Sequence, residues 1–319
     1  MAGTQVRAAG VGHAGEKPAG PSKPPKPKTN WREIGAAWVF IGPGLIHSIV
    51  FIIGMVVVSA LVSTWRWDLV SSPDFIGLEN YRRIIADEMF WLVLKNTVIF
   101  VVLSVPTGLG LSLGLALAAN TKLRGLTFFR TAYFFPYVAS MISVAIIFRW
   151  LYNSDYGLLN SILGFFGINP IDWLGQCSTA MPAVALLAVW KGLGWNMTLF
   201  LAGLQAIPTH LYEAAQMDGA GRWRQFRDIT WPLLSPTTFF VSVTSILGSF
   251  AVFDAAYVLS GGGVTRCLTF YMVYTYQQGF NNFDMGYAAA LAWVLFAIVG
   301  LITLIQFKVL SKRVHYELG

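Results

Sequence analysis

The stretch Glu213-Ala214-Ala215-Gln216-Met217-Asp218-Gly219-Ala220-Gly221-Arg222-Trp223-Arg224-Gln225-Phe226-Arg227-Asp228-Ile229-Thr230-Trp231-Pro232 is a polar island between two long apolar runs. Pro208 and Thr209 give a helix start signal, with Thr209 suited to an N-cap. Leu211 to Asp218 then reads as a short helix of good formers that Gly219-Ala220-Gly221 breaks. A second short helix follows, with Trp223, Phe226 and Ile229 at helical spacing, Arg224 and Asp228 as an i,i+4 pair, and Pro232 as its stop. Two short amphipathic helices joined by small residues form a compact knob able to dock into a groove on another protein. Ala214 and Ala215 leave room for close approach, and Glu213 offers a charged anchor at the rim. Amphipathicity alone would equally describe an interfacial helix-turn-helix with arginines on its polar face, so the full spacing has to separate the two readings.

The flanking runs set the class. Apolar residues make up 55% of the chain and charged residues 12%, which with a positive mean hydropathy describes an all-α polytopic membrane protein. A formal charge of +7 would suit nucleic acid, but the Lys and Arg residues flank the apolar runs and form no aromatic-interleaved basic face. No nucleic-acid partner is expected.

Six candidate spans follow, at 36 to 63, 92 to 119, 127 to 151, 180 to 204, 235 to 260 and 286 to 308, each near the ~20 residues that cross ~30 Å of hydrocarbon. The bias of basic residues orients them. With the N-terminus cytoplasmic, the inner side holds Arg7, Lys17, Lys23, Lys26, Lys28 and Arg32, then Lys122, Arg124 and Arg130, then Arg222, Arg224 and Arg227, and last Lys308, Lys312 and Arg313. The outer loops hold Arg66, Arg82 and Arg83, while Tyr152 to Ala180 carries Asp155 and Asp172 without Lys or Arg. Both termini are therefore expected in the cytoplasm. Residues 1–30, with much Pro and Lys and no apolar core, read as a disordered tail that fixes orientation or touches anionic lipid through Lys23, Lys26 and Lys28. No cleavable signal peptide is expected, because the first apolar run starts late and is too long.

Cys177 and Cys267 both fall in outer segments, where a disulfide is permitted; two free thiols are the expectation. His13, His47, His210 and His315 are scattered, so no metal site is expected. No Gly-x-x-x-x-Gly-Lys-Ser/Thr loop occurs, so ATP hydrolysis, if any, belongs to another chain.

The island carries a specific spacing: Glu213-Ala214-Ala215, three residues, Gly219, nine residues, Ile229, one residue, then Trp231-Pro232. It resembles the EAA loop of binding-protein-dependent ABC importer permeases, with Trp231 where Leu is usual. The resemblance runs from about Trp31 to the C-terminus and is nearest the carbohydrate-uptake group of maltose-type and glycerol-3-phosphate-type permeases. Phe75-Ile76-Gly77-Leu78-Glu79-Asn80-Tyr81, Phe148-Arg149-Trp150-Leu151-Tyr152-Asn153, Gly157-Leu158-Leu159-Asn160, Phe253-Asp254-Ala255-Ala256-Tyr257-Val258-Leu259 and Gly261-Gly262-Gly263 also carry it. The loop from Thr64 to Trp91 is too short for the large extra domain of some maltose-type permeases. The resemblance implies a coupling loop at about 205–234, in which Glu213, Ala214, Ala215, Asp218 and Gly219 receive the motion of ATPase subunits. It further implies a bacterial inner-membrane assembly with a second, different permease, two ATPases that bind ATP and Mg, and an extracytoplasmic solute-binding protein. The chain itself would carry no cofactor and no catalytic site.

Polar and aromatic residues inside spans are candidates for a substrate pathway. On the fifth span Phe250, Asp254 and Tyr257 share a helical face, where an acceptor between rings suits sugar hydroxyls and ring faces; a structural ion pair or packing hydrogen bond explains Asp254 equally. On the fourth, Lys191, Trp195 and Thr198 share a face with Asn196 nearby, and Lys191 could line the pathway, attract a phosphate, pair with Asp254 or serve packing. Gly110, Gly114 and Ala118 read as a close helix contact, as does the stripe Ser242, Ser245 and Ser249. The expected cargo is a mono-, di- or oligosaccharide, with glycerol 3-phosphate or a glycerophosphodiester as the alternative. A secondary transporter or a passive channel would not need the docking loop.

Overall fold

The computed structural model describes residues 31–121, 125–262 and 265–310. The tail expected over residues 1–30, Lys122, Arg124, Gly263, Lys312, Arg313 and His315 lie outside the described residues. The chain divides after Met55 into two units. In the first, α1 (Trp31–His47) runs into a π-helical stretch, Ser48–Ile53, and the start of α2 (Gly54–Val62). Gly35–Val62 is long and apolar enough to cross a membrane.

The second unit opens with a two-stranded antiparallel ribbon, β1 (Trp65–Arg66) and β2 (Asp74–Phe75), with Trp65 opposite Phe75. Then come α3 (Glu79–Ala86), the long α4 (Glu88–Ala119), α5 (Leu126–Val138), α6 (Met141–Leu151), α7 (Leu158–Phe165) and the long α8 (Cys177–Gln205). The polar island contributes α9 (Thr209–Met217), α10 (Arg222–Gln225), a π turn at Phe226–Thr230 and α11 (Trp231–Leu233). It leads into α12 (Ser235–Phe250), α13 (Asp254–Leu259), α14 (Tyr271–Tyr276), a π turn at Gln277–Asn281 and α15 (Met285–Leu310). Besides Gly35–Val62, the helices Glu88–Ala119, Cys177–Gln205 and Met285–Lys308 are long and apolar enough to cross a membrane. The count reaches 6 if two bent pairs are each one span: Phe128–Val138 with Met141–Leu151 at 96°, and Arg222–Leu233 with Ser235–Phe250 at 64°.

The bends correct two of the expected spans. The third is not a straight helix over 127 to 151, because Ala139 and Ser140 are extended between α5 and α6. The fifth does not run to 260, because helical geometry stops at Phe250 and resumes at Asp254. Burial explains the second break. Phe250 seals a core with Phe90, Tyr271, Tyr287 and Leu291, whereas Ala255, Ala256 and Leu259 of α13 enter a different core with Val144, Ala145, Ala183 and Leu187. A single straight helix could not serve both.

α4 and α8 pack along their length through small residues. Ser104, Gly108, Ser112 and Ala116 are buried on α4, and the Ser112 hydroxyl donates to the Leu193 carbonyl at 3.3 Å. In lipid, where apolar side chains gain little by leaving solvent, such close backbone approach is a main source of helix association. The packed stripe is thus one turn-face away from the one expected. Gly110, Gly114 and Ala118 are exposed, and a Cβ at Gly110 or Gly114 would touch nothing. In the serine stripe, Ser242 is buried and donates to Phe239, but Ser245 and Ser249 border a cavity.

Irregular backbone is tied by side-chain donors. The Asn80 amide donates to the carbonyls of Ser63 and Trp65, both at 3.0 Å, and fixes the ribbon. Asn96, well inside α4, donates to Arg266 at 3.0 Å and Thr269 at 3.1 Å. Asn160 donates to Ser154 at 3.1 Å and Ile171 at 2.9 Å, and accepts from the Trp173 indole at 2.9 Å. Asp87 caps α4 through the Met89 amide at 2.9 Å and accepts from the hydroxyls of Tyr274 and Tyr287. Burial pushes the Asp87 carboxyl up, but these hydroxyl and backbone donors outweigh it and leave it below the usual carboxylate range.

Cys177 and Cys267 form a disulfide with Cα atoms 4.9 Å apart, against the expectation of two free thiols. Ninety positions of sequence hid the approach of α8 to the segment after α13. Maleimide should therefore label neither cysteine until a reductant is added. Cys177→Ser with Cys267→Ser should lower stability by about 2–4 kcal/mol. Labelling of the untreated protein would refute the bond.

Candidate functional site

The polar island stands on a buried base. Ala116, Met197, Phe200, Leu204, Ile207, Leu234 and Val241 form a core from the ends of α4, α8 and α12, and Leu211, Tyr212, Ile229 and Leu233 pack onto it. Those four residues account for the inward face of both arms. The Tyr212 and Thr230 hydroxyls meet at 3.0 Å and join the arms, while Gln225 donates to the Ala220 carbonyl at 2.9 Å and closes the turn. What remains outward is Glu213, Ala214, Gln216, Met217, Asp218 and Gly219, all exposed, with Ala215 half-buried. Met217 is 90% exposed, an extreme value for an apolar side chain.

Local geometry explains the turn. Asp218 ends α9, and Gly219 takes φ +75°, the left-handed conformation that favours glycine at a helix terminus. Its amide donates to Gln216 at 3.0 Å, and the Ala220 amide to Ala215 at 2.8 Å. Thr209 is the first helical residue rather than the N-cap, a place taken by Pro208. Arg224 and Asp228 lie 3.6 Å apart, as their spacing predicts, but Arg227 is nearer at 2.7 Å. The expected Trp223, Phe226 and Ile229 face divides: Ile229 packs inward, while Trp223 is 73% exposed and stacks on Phe226.

A cavity of about 390 Å³ lies among α4, α5, α8 and α12 to α13. Lys191, Trp195, Asn196 and Asp254 line it, joined by Tyr137 and Ser245. Phe250 and Tyr257 do not: the break at residues 251–253 separates Phe250, 4% exposed in its core, from Asp254, and Tyr257, though on α13 with Asp254, stacks on Phe253. The Tyr137 and Trp195 rings stack at 5.1 Å with 12° between planes, and Asn196 reaches the Ser245 hydroxyl at 3.5 Å. Thr198 turns back on its own helix, donating to Gly194 at 2.8 Å.

Lys191 has a task that its sequence context did not reveal. Its ammonium donates to the carbonyls of Pro136 at 3.3 Å, Tyr137 at 3.0 Å and Ala139 at 2.8 Å, the acceptors freed where α5 ends. It forms no ion pair with Asp254; among the described residues the Asp254 carboxylate has no cationic partner, and it is exposed. Gly194, one turn on, lets α8 press against the α5 backbone: a Cβ there would collide with the Tyr133 carbonyl. Tyr137 was overlooked because an aromatic beside Pro136 reads as ordinary span filling; the Pro inside an apolar run was the available signal.

Comparison with known proteins adds the lineage. The sequence profile described as "Binding-protein-dependent transport system inner membrane component" matches residues 107–316. The chain is 39% identical over 287 residues to the probable ABC transporter permease protein YesP of Bacillus subtilis, covering 88% of this chain and 92% of that one. It is 36% identical to the sn-glycerol-3-phosphate transport system permease protein UgpA of Agrobacterium fabrum, and 35% identical to the trehalose/maltose transport system permease protein MalF of Thermococcus litoralis. Each of these matches covers 88% of this chain and 96% of the relative. Its fold matches a chain of a bacterial alginate ABC transporter, crystallised with its alginate pentasaccharide-bound periplasmic protein, at a TM-score of 0.76. That match has 23% identity over 86% of this chain and 95% of that one.

Lys191→Met should leave the α5 carbonyls without their donor and cost about 2 kcal/mol, seen as a lower unfolding midpoint in detergent. Lys191→Arg should recover part of the loss. An unchanged midpoint in the Met variant would remove Lys191 from the bend.

Proposed function

The chain belongs to the family of binding-protein-dependent transport system inner membrane components, and we propose that it forms half of the membrane pathway of an ATP-driven sugar importer. The observation that carries this is the knob: a seated base with Glu213, Ala214, Met217, Asp218 and Gly219 turned outward is shaped for insertion into a groove of another protein. The partners are two ATPase subunits, which hold ATP and Mg, a second permease of different sequence, and an extracytoplasmic solute-binding protein. The chain performs no covalent chemistry. It sits in the bacterial inner membrane with the knob and both termini cytoplasmic, an orientation that the distribution of Lys and Arg supports. The disulfide between two outer segments agrees with that orientation, since such bonds persist in oxidising compartments.

Closure of the ATPases on ATP pulls the knob, and Tyr212, Ile229 and Leu233 pass the displacement to the base of α8 and α12. The loaded receptor and ATP open the pathway outward, and hydrolysis resets it inward. Glu213, Ala214, Ala215, Asp218 and Gly219 make the docking contact. Lys191, Trp195, Asn196 and Asp254 border the route taken by the cargo, with Lys191 holding the α5 bend. Phe250 and Tyr257 support it from behind.

A sugar suits this route better than a phosphate. Stacked Tyr137 and Trp195 offer a ring platform, Asp254 and Asn196 offer partners for hydroxyls, and Asp254 would repel an anion while Lys191 is engaged by carbonyls. Trehalose, maltose and arabino-oligosaccharides, named for its relatives, are the cargoes to try first. Glycerol 3-phosphate is the second reading, favoured by the 36% identical UgpA relative.

Reconstituted with its partners, the chain should support ATP-dependent uptake of one of these sugars. Gly219→Leu, which forces a side chain into a left-handed turn, should abolish substrate-stimulated ATPase activity while insertion and the fold survive. Normal stimulation in that variant would remove the knob from coupling. Asp254→Asn should reduce uptake about tenfold, the cost of one charge-assisted hydrogen bond, without loss of assembly. Unchanged kinetics would take Asp254 off the route.

A further inference from the structure

A second cavity of about 390 Å³ shares no residue with the first. It is lined by Met89, Tyr274, Gln277, Gln278, Asn281 and Asn282, with Gly262 at its edge. Four carboxamides within six positions of chain, and no charged side chain, make it a concentrated set of neutral donors and acceptors. The backbone that presents them is irregular: Gln277–Asn281 is a π turn, a geometry that recurs at functional positions.

Gln277 is 5% exposed and its Oε1 accepts no hydrogen bond among the described residues, a deficit of about 1–3 kcal/mol that a donor in the cavity could meet only after the side chain turns toward it. Adjoining the amides in sequence but outside the cavity lining, Phe280 and Phe283 are 57% and 56% exposed, and Phe283 is held at φ +56°, a conformation that a bulky side chain rarely adopts. The clustered carboxamides match the hydroxyl edge of a pyranose or furanose. Arg83 is paired to Asp284 at 2.7 Å and lies over the Tyr287 ring, and Lys95 and Arg266 line a separate cavity that meets this one at Met89, so the lining of this cavity itself is uncharged.

We propose that this cavity is a saccharide subsite at the mouth of the route, taking a neutral sugar unit through Gln277, Gln278, Asn281 and Asn282 before it reaches the cavity beside Lys191. The assignment rests on the sugar reading of the cargo. The Tyr274 hydroxyl is committed to Asp87, and Asn282 donates to the Gln278 Oε1 at 3.2 Å, so the amide groups left open carry the recognition while Tyr274 and Met89 form the wall.

The assembled transporter, labelled with methyl-13C methionine in nanodiscs and without its receptor, can be titrated with maltose, trehalose or arabinotriose, with glycerol 3-phosphate as the charged comparator. The Met89 methyl signal, assigned through Met89→Leu, should move with the sugar that the transporter takes up and stay still with glycerol 3-phosphate. Gln278→Ala with Asn281→Ala, both away from the buried core, should weaken that response about tenfold, as loss of two neutral hydrogen bonds implies. Gln277→Leu should weaken it too while leaving the sugar-free protein at least as stable. A still Met89 signal with a sugar that is taken up would overturn the subsite and leave the cargo reading intact. Uptake of glycerol 3-phosphate and no sugar would overturn both. If the double variant instead lost docking of the sugar-free receptor, with the methyl response unchanged, the surface would be a protein contact and the subsite would fall.

Discussion

A carbonyl that leaves helical geometry inside an apolar slab has no water to turn to, and the architecture follows from how this chain answers that constraint. Where α5 ends, and where the segment after α13 meets α4, the demand is met by a side-chain donor, and the ribbon and the turns around α7 use the same device outside the spans. Asn80 collects two carbonyls of the ribbon, Asn96 two from the segment after α13, Asn160 two around α7, and Lys191 three where α5 ends. Remove these donors and the bends become costly enough that straight helices would compete.

The same constraint links the two ends of the molecule. At one end the knob sits on a tight core that includes Leu234 and Val241 of α12. At the other end of that helix, α13 departs after a non-helical break, and Asp254 and Ala251 border the cavity. α12 is thus a 16-residue rod, ~24 Å long, with the knob at one end and the non-helical break at the other. Under the proposed coupling, a small rotation of the knob carried along this rod would be expressed where Asp254 borders the cavity.

Much of this was legible in sequence because it is local. Apolar length locates the spans, and Gly219 with the Arg224 and Asp228 spacing describes the turn and second arm of the knob within a few residues. The losses share one cause, which is that periodicity names a face without naming its neighbour. Gly110 and Gly114 had the right spacing for close packing, yet α8 lies against Gly108 and Ser112 instead. The bend at Ala139 depends on Lys191, about fifty positions later, and the break at Ala251 depends on which core α13 finds. Phe250 would share a face with Asp254 only on a helix that continued through residues 251–253, and this one does not. The amide cluster from Gln277 to Asn282 carried no warning, since polar residues between spans usually mean a solvated loop.

The disulfide sets an order of events in synthesis. Cys177 begins α8, and Cys267 emerges only after α8, the knob and α12 have all been made. Until then the first thiol waits unpaired. Closure of the bond leaves in each molecule a covalent record that the chain was completed through the segment after α13.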